Sequence, residues 1–79
     1  MERNEILSKI QELLAEIIDN EKLVLDESSN PSIVEDWDSL AHFNLVMELQ
    51  SEFGIKFSAA EIQGWDCVGN IISSIESKL

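Results

Sequence analysis

A chain of 79 residues with 16 acidic and 5 basic side chains carries a net charge of −11, and this length holds one domain. Such a chain buries only about 60% of its unfolded surface, which leaves no room for a deep active-site cleft with a supporting shell. The negative surface repels nucleic acid and anionic membranes, while a hydrophobic share of 44% excludes a disordered acidic tail.

Ile6, Leu7, Ile10, Leu13, Leu14, Ile17 and Ile18 recur at three- and four-residue spacing. This predicts an amphipathic first helix from about Arg3 to Ile18. Glu2, Glu5, Glu12, Glu16 and Asp19 fall on its other faces, and Asp19-Asn20 is the expected stop. A long connection follows, from Glu21 to Asp38. Its middle, Asp26-Glu27-Ser28-Ser29-Asn30-Pro31-Ser32, is rich in turn formers and breakers. Leu23, Val24, Leu25, Ile33 and Val34 are expected to pin it to the bundle. A loop this long in a small domain is uncommon and often functional. The second helix is predicted from Ser39 to about Phe53, with Leu40, Phe43, Val46, Met47, Leu49 and Phe53 as its buried stripe and Gly54 as its stop. Ile55-Lys56-Phe57 links it to Ser58-Ala59-Ala60-Glu61, a capping box that opens a very short helix ended by Gly64. Asp66 is the expected cap of the last helix. Val68, Ile72, Ile75 and Leu79 form that helix's stripe, with Ile71 beside it. The result is an all-α fold over residues 1–79: a small four-helix bundle of three longer helices and one short one, with a long first loop.

The chemistry concentrates in Glu35-Asp36-Trp37-Asp38-Ser39-Leu40. Asp38 suits an N-cap, accepting from the orphan backbone N–H groups of the first turn. Ser39 then sits where the helix dipole favours negative charge, so a phosphate carried on it would occupy a natural anion site. Helix capping alone also explains an Asp-Ser pair. No G-x-S-x-G elbow surrounds Ser39, and the acidic runs lack the glycine-centred loop of a calcium site. Neither an enzyme nor a metal centre is expected. One cysteine and one histidine make neither an internal disulfide nor a zinc cluster. Cys67 reads as an inert buried thiol, and His42 as a surface residue near the start of the second helix. No uninterrupted apolar run exceeds three residues and no signal segment follows Met1, so a cytoplasmic monomer without a membrane span is the simplest expectation.

With Asp38-Ser39-Leu40 opening the second long helix, the layout resembles that of the acyl carrier proteins over essentially the whole chain. Trp37-Asp38-Ser39-Leu40, followed by Met47-Glu48-Leu49 and Glu52-Phe53-Gly54-Ile55, is similar to the family's most characteristic region, and the short third helix after Phe57-Ser58 matches as well. The resemblance implies a carrier that performs no chemistry itself. A phosphopantetheinyl transferase would move phosphopantetheine from coenzyme A onto Ser39, flanked by Trp37, Asp38 and Leu40. The terminal thiol would hold acyl intermediates as thioesters for enzymes of fatty acid, lipid or polyketide-type biosynthesis. Glu35, Asp36, Asp38, Ala41, Asn44, Glu48 and Glu52 would face basic docking patches on acyl-loading and acyl-transfer enzymes. Phe43, Met47, Leu49, Phe57, Ile62, Trp65 and Ile71 would line a region that shelters the acyl chain.

Two features depart from the family's pattern. Ala41, Asn44, Gln50 and Ser51 stand where acids are common in fatty-acid-synthesis carriers, which implies a specialised carrier with its own pathway enzymes. Phe43, Phe57, Trp65 and Ile71 are bulky for the sheltering region, which implies either an ordinary repacked core or a narrow pocket for short acyl groups. An aminoacyl, peptidyl or aryl carrier of the same fold is an alternative. Those domains commonly show glycines ahead of the serine, where this chain has Asp36-Trp37-Asp38. An unmodified acidic helical interaction domain is the other alternative.

Overall fold

The structure, a computed structural model, describes residues 1–79. Four helices follow one another without a strand: α1 (Arg3–Ile17), α2 (Ser39–Phe53), α3 (Ala59–Gln63) and α4 (Val68–Glu76). α1 packs against both α2 and α4. No helix is long and apolar enough to cross a membrane.

α1 starts where Glu5 Oε1 accepts from the backbone N–H of Glu2 at 3.2 Å. Its innermost line is Ile6, Ile10 and Leu14, all fully buried at the four-residue spacing of one helix face. Leu7, Leu13, Ile17 and Ile18 flank that line and are half-buried. The helix ends at Ile17, one residue before the expected end, and Asp19 takes a left-handed φ of 54°.

The connection to α2 is pinned by fewer residues than expected. Leu23 and Leu25 are buried and Val34 is half-buried, but Val24 and Ile33 are solvent-exposed. Burial alternates along this stretch, with Leu23 and Leu25 turned inward and Val24 between them turned out. Ser29 is the one buried polar residue. Its Oγ accepts from the Asp26 N–H at 3.0 Å, and Asp26 Oδ1 accepts from the Ser28 N–H at 2.8 Å.

This turn also builds the start of α4. The carbonyls of Ser29 and Glu27 accept from the Val68 and Gly69 N–H groups, both at 2.8 Å. Two orphan donors of α4 are therefore satisfied by the loop. A Cβ on Gly69 would stand 3.1 Å from the Glu27 carbonyl oxygen, so any larger residue would press the loop outward by a few tenths of an ångström. The expected Asp66 cap is corrected: Cys67 is the N-cap residue. Asn70 Oδ1 reaches back to accept from the N–H groups of Asp66 at 2.9 Å and Cys67 at 3.2 Å. Leu79 is also corrected, since it lies beyond the end of α4 and is exposed.

A single arginine ties the loop, α1 and α4 together. Arg3 donates to Glu27 at 2.7 Å and 3.1 Å, to Ser73 Oγ at 3.3 Å, to the Gly69 carbonyl at 3.3 Å, and to Glu76.

The largest correction concerns α2. Ala41, Leu45, Val46 and Leu49 face the core. Leu40, Phe43 and Met47 were expected inside, but are 69%, 61% and 51% exposed. α2 offers two apolar lines at helical spacing, and contact with α1 selects the one containing the small Ala41. Gly54 ends the helix as expected, in a left-handed conformation with φ 65° and its N–H on the Gln50 carbonyl. α3 opens with the expected capping box, Ser58 Oγ accepting from the Glu61 N–H at 3.1 Å and Glu61 Oε1 from the Ser58 N–H at 2.9 Å.

Candidate functional site

The site is built by the last residues of the long loop and the first turn of α2. Asp36 takes a left-handed φ of 69°, a conformation that Asp tolerates better than most non-glycine residues. The chain turns there and buries Trp37, which is 3% exposed, while Glu35, Asp36, Asp38 and Ser39 stay at the surface. Asp36 thus adopts a glycine-like backbone ahead of Ser39 without being glycine. Asp38 is the N-cap of α2, and its Oδ1 accepts from the Ala41 N–H at 2.8 Å.

Ser39 is the first residue of α2 and its side chain is exposed. The turn and cap hydrogen bonds use the N–H groups of Ala41 and His42, but not those of Ser39 and Leu40. Two backbone donors at the positive end of the helix therefore remain open beside the Ser39 hydroxyl. A cleft of about 330 Å³, lined by Pro31, Trp37, Asp38, Ser39 and His42, opens at the same place. This donor set and open rim fit a phosphodiester on Ser39.

Behind the cleft stands an aromatic row. The Trp37 indole Nε1–H donates to His42 Nδ1 at 3.2 Å, with ring centroids 5.8 Å apart. Trp65 meets His42 edge-on at 6.1 Å, and Phe57 meets Trp65 edge-on at 4.8 Å. The Trp65 Nε1–H is fixed on Ser74 Oγ at 2.9 Å. Burial holds the His42 pKa below the usual imidazole value. Trp37, expected to flank the group on Ser39, is almost wholly buried, lines the same cleft as Ser39 and spends its one donor on His42. His42 is correspondingly half-buried and not a plain surface residue. Its contacts with the two tryptophans are missed in the sequence; the only signal is a tryptophan five residues ahead of it across a helix start.

The other expected site residues separate into groups. Glu35, Asp36, Asp38, Asn44 and Glu48 are exposed around Leu40, Phe43 and Met47. Ala41, expected on the docking face, is 6% exposed and packs in the core. Glu52 is exposed but pairs with Lys9 of α1 at 2.9 Å, which places it on the α1 side of α2. Gln50 Oε1 accepts from the Phe57 N–H at 3.0 Å, while its Nε2 approaches Met47 Sδ at 3.8 Å. A carboxylate could not donate in the second contact, which accounts for an amide there.

Of the residues expected to shelter an acyl chain, Leu49 and Ile71 belong to the core with Phe57 and Trp65 packed against it, whereas Phe43 and Met47 stand apart. Phe57, Ile62 and Trp65 are half-buried. The four surface cavities are lined by other residues. The most voluminous, about 540 Å³, lies at the far end of α1 and is lined mainly by polar and acidic side chains.

The chain is 39% identical over 82 aligned residues to the acyl carrier protein of Thermotoga maritima, an alignment covering 98% of this chain and 95% of that protein. It is 28% identical over 81 residues to the acyl carrier protein of Petrotoga mobilis, with 100% and 93% covered. The solution NMR structure of holo acyl carrier protein from Geobacter metallireducens superposes with a TM-score of 0.84 at 28% identity, covering 91% of this chain and 83% of that one. No family-level sequence profile matches the chain.

Proposed function

Because the chain belongs to the acyl carrier protein family and its role is that of an acyl carrier, we propose that Ser39 bears the phosphopantetheine arm. One observation carries this reading: Ser39 is exposed at the first position of α2, beside two backbone N–H groups that no cap uses. Attachment joins Ser39 Oγ to phosphorus while the pyrophosphate bond of coenzyme A breaks, adenosine 3′,5′-bisphosphate departs and the hydroxyl proton leaves. When bound, the arm supplies the thiol that holds an acyl group as a thioester.

The chain's own residues hold and present that arm. Asp38 fixes the first turn of α2 through Ala41, and the open N–H groups of Ser39 and Leu40 favour the phosphate charge. Leu40, Phe43 and Met47 form an outward apolar stripe, with Glu35, Asp36, Asp38 and Glu48 also exposed nearby. This composition suits transferases and acyl-handling enzymes with an apolar seat and a basic rim. Charge complementarity of this kind raises encounter rates and selects partners more than it tightens binding. The small number of acids on α2 supports a carrier with its own pathway enzymes; equal turnover with housekeeping fatty-acid-synthesis enzymes would count against it.

Intact-protein mass spectrometry tests the site. Incubation with coenzyme A and a broad-specificity phosphopantetheinyl transferase should add one phosphopantetheine mass to wild type and none to Ser39→Ala. No addition to wild type, under conditions that modify a control carrier, would overturn the assignment.

A further inference from the structure

His42 is the one side chain of the cleft whose chemistry is still unused. A tryptophan Nε1–H can only donate, so Nδ1 of His42, 3.2 Å from it, must be the accepting nitrogen. In a neutral ring the proton is then on Nε2. Nε2 makes no hydrogen bond within the chain, and no buried side-chain polar atom lacks a partner, so Nε2 reaches solvent. The ring is held from two sides, by Trp37 at 5.8 Å and by the edge contact with Trp65 at 6.1 Å. His42 stands three positions after Ser39, and side chains at that spacing are neighbours on one helix face. Both line the same cleft.

The charges around this cleft make the donor useful. Its only acidic side chain is Asp38, a group of the same sign as a phosphate. None of the five basic residues lines it. A phosphodiester there must be held by neutral donors: the backbone N–H groups of the helix start and one side chain.

We propose that His42 is a positioning residue for the arm on Ser39, its neutral imidazole donating Nε2–H to a phosphodiester oxygen across the cleft. The proposal rests on Ser39 as the attachment point. Trp37 acts through His42 by fixing its tautomer. Together they orient the root of the arm and leave its distal part free to reach partner enzymes.

The test is imidazole NMR of ¹⁵N-labelled protein before and after loading, with intact mass measured on the same samples. In unloaded protein, His42 should show a protonated Nε2 and an unprotonated Nδ1. On loading, the Nε2–H proton should shift downfield and exchange with water several-fold more slowly. In holo His42→Phe, confirmed folded by circular dichroism, the ³¹P resonance should move from its wild-type position. A full mass increase with an unchanged Nε2–H signal would overturn the His42 assignment and leave the carrier reading intact. A proton on Nδ1 in the unloaded protein would overturn it as well. No mass increase would overturn the Ser39 reading and this inference with it.

Discussion

His42 and three acids set how the protein responds to pH. Burial lowers the His42 pKa from its ordinary 6.5. The unfolded chain therefore binds a proton at a higher pH than the folded one, and stability declines as pH falls below about 6.5. The Arg3 guanidinium holds Glu27 below its ordinary 4.5. The Ser58 N–H, followed by Lys78, does the same for Glu61, and the Ser28 hydroxyl holds Asp26 below 3.8. For these acids the contribution is present above the ordinary values and is lost as pH drops through the lowered folded ones. Urea denaturation at stepped pH should show a first decline below about 6.5 and a second below about 4.5. His42→Gln should remove the upper stage alone. An upper stage that persists in this variant would show that another group causes it.

α2 divides its apolar residues between two functions, and substitutions should separate them. Leu45→Ala removes a fully buried side chain and should cost about 2–5 kcal/mol. Leu40→Ala and Met47→Ala change exposed side chains and should stay within about 0.5 kcal/mol, yet slow acyl transfer to a partner enzyme. Thermal melts beside a transfer assay decide this; a large stability loss at Leu40 or Met47 would contradict the outward stripe. The existence and order of the helices are legible in the sequence because each has local signals, such as the Ser58-Glu61 box and Gly54. Asp38 and Ser39 are legible for the same reason. The inward face of α2 is not, because Leu40-Phe43-Met47 and Ala41-Leu45-Leu49 are both spaced as helix stripes and only the tertiary partner α1 chooses between them. The α4 cap is hidden similarly, since its acceptors include the Glu27 and Ser29 carbonyls, some forty residues away. The Trp37–His42 bond depends on the turn at Asp36, which no pattern announces.

At the scale of the whole molecule, the helices close on a filled interior. Ile6, Ile10, Leu14, Leu45, Leu49, Val68, Ile72 and Ile75 are each fully buried. Phe57 and Trp65 pack against this core edge-on to one another, with centroids 4.8 Å apart. An acyl group of any length must part packed side chains to enter, and the cost grows with the length inserted. Thioester hydrolysis should therefore be slowest with short acyl groups and approach the rate of the free arm with long ones; equal protection at both lengths would refute this. Arg3 adds a consequence in time. Its bonds to Gly69, Ser73 and Glu76 span 66, 70 and 73 residues, separations closed only when distant parts of the chain have docked. Contacts absent from the folding transition state act on the escape rate. Arg3→Met should leave the refolding limb of a chevron plot nearly unchanged and raise the unfolding limb. Arg3 then lengthens the time each folded molecule persists, and so adds to the rounds of loading and delivery it survives.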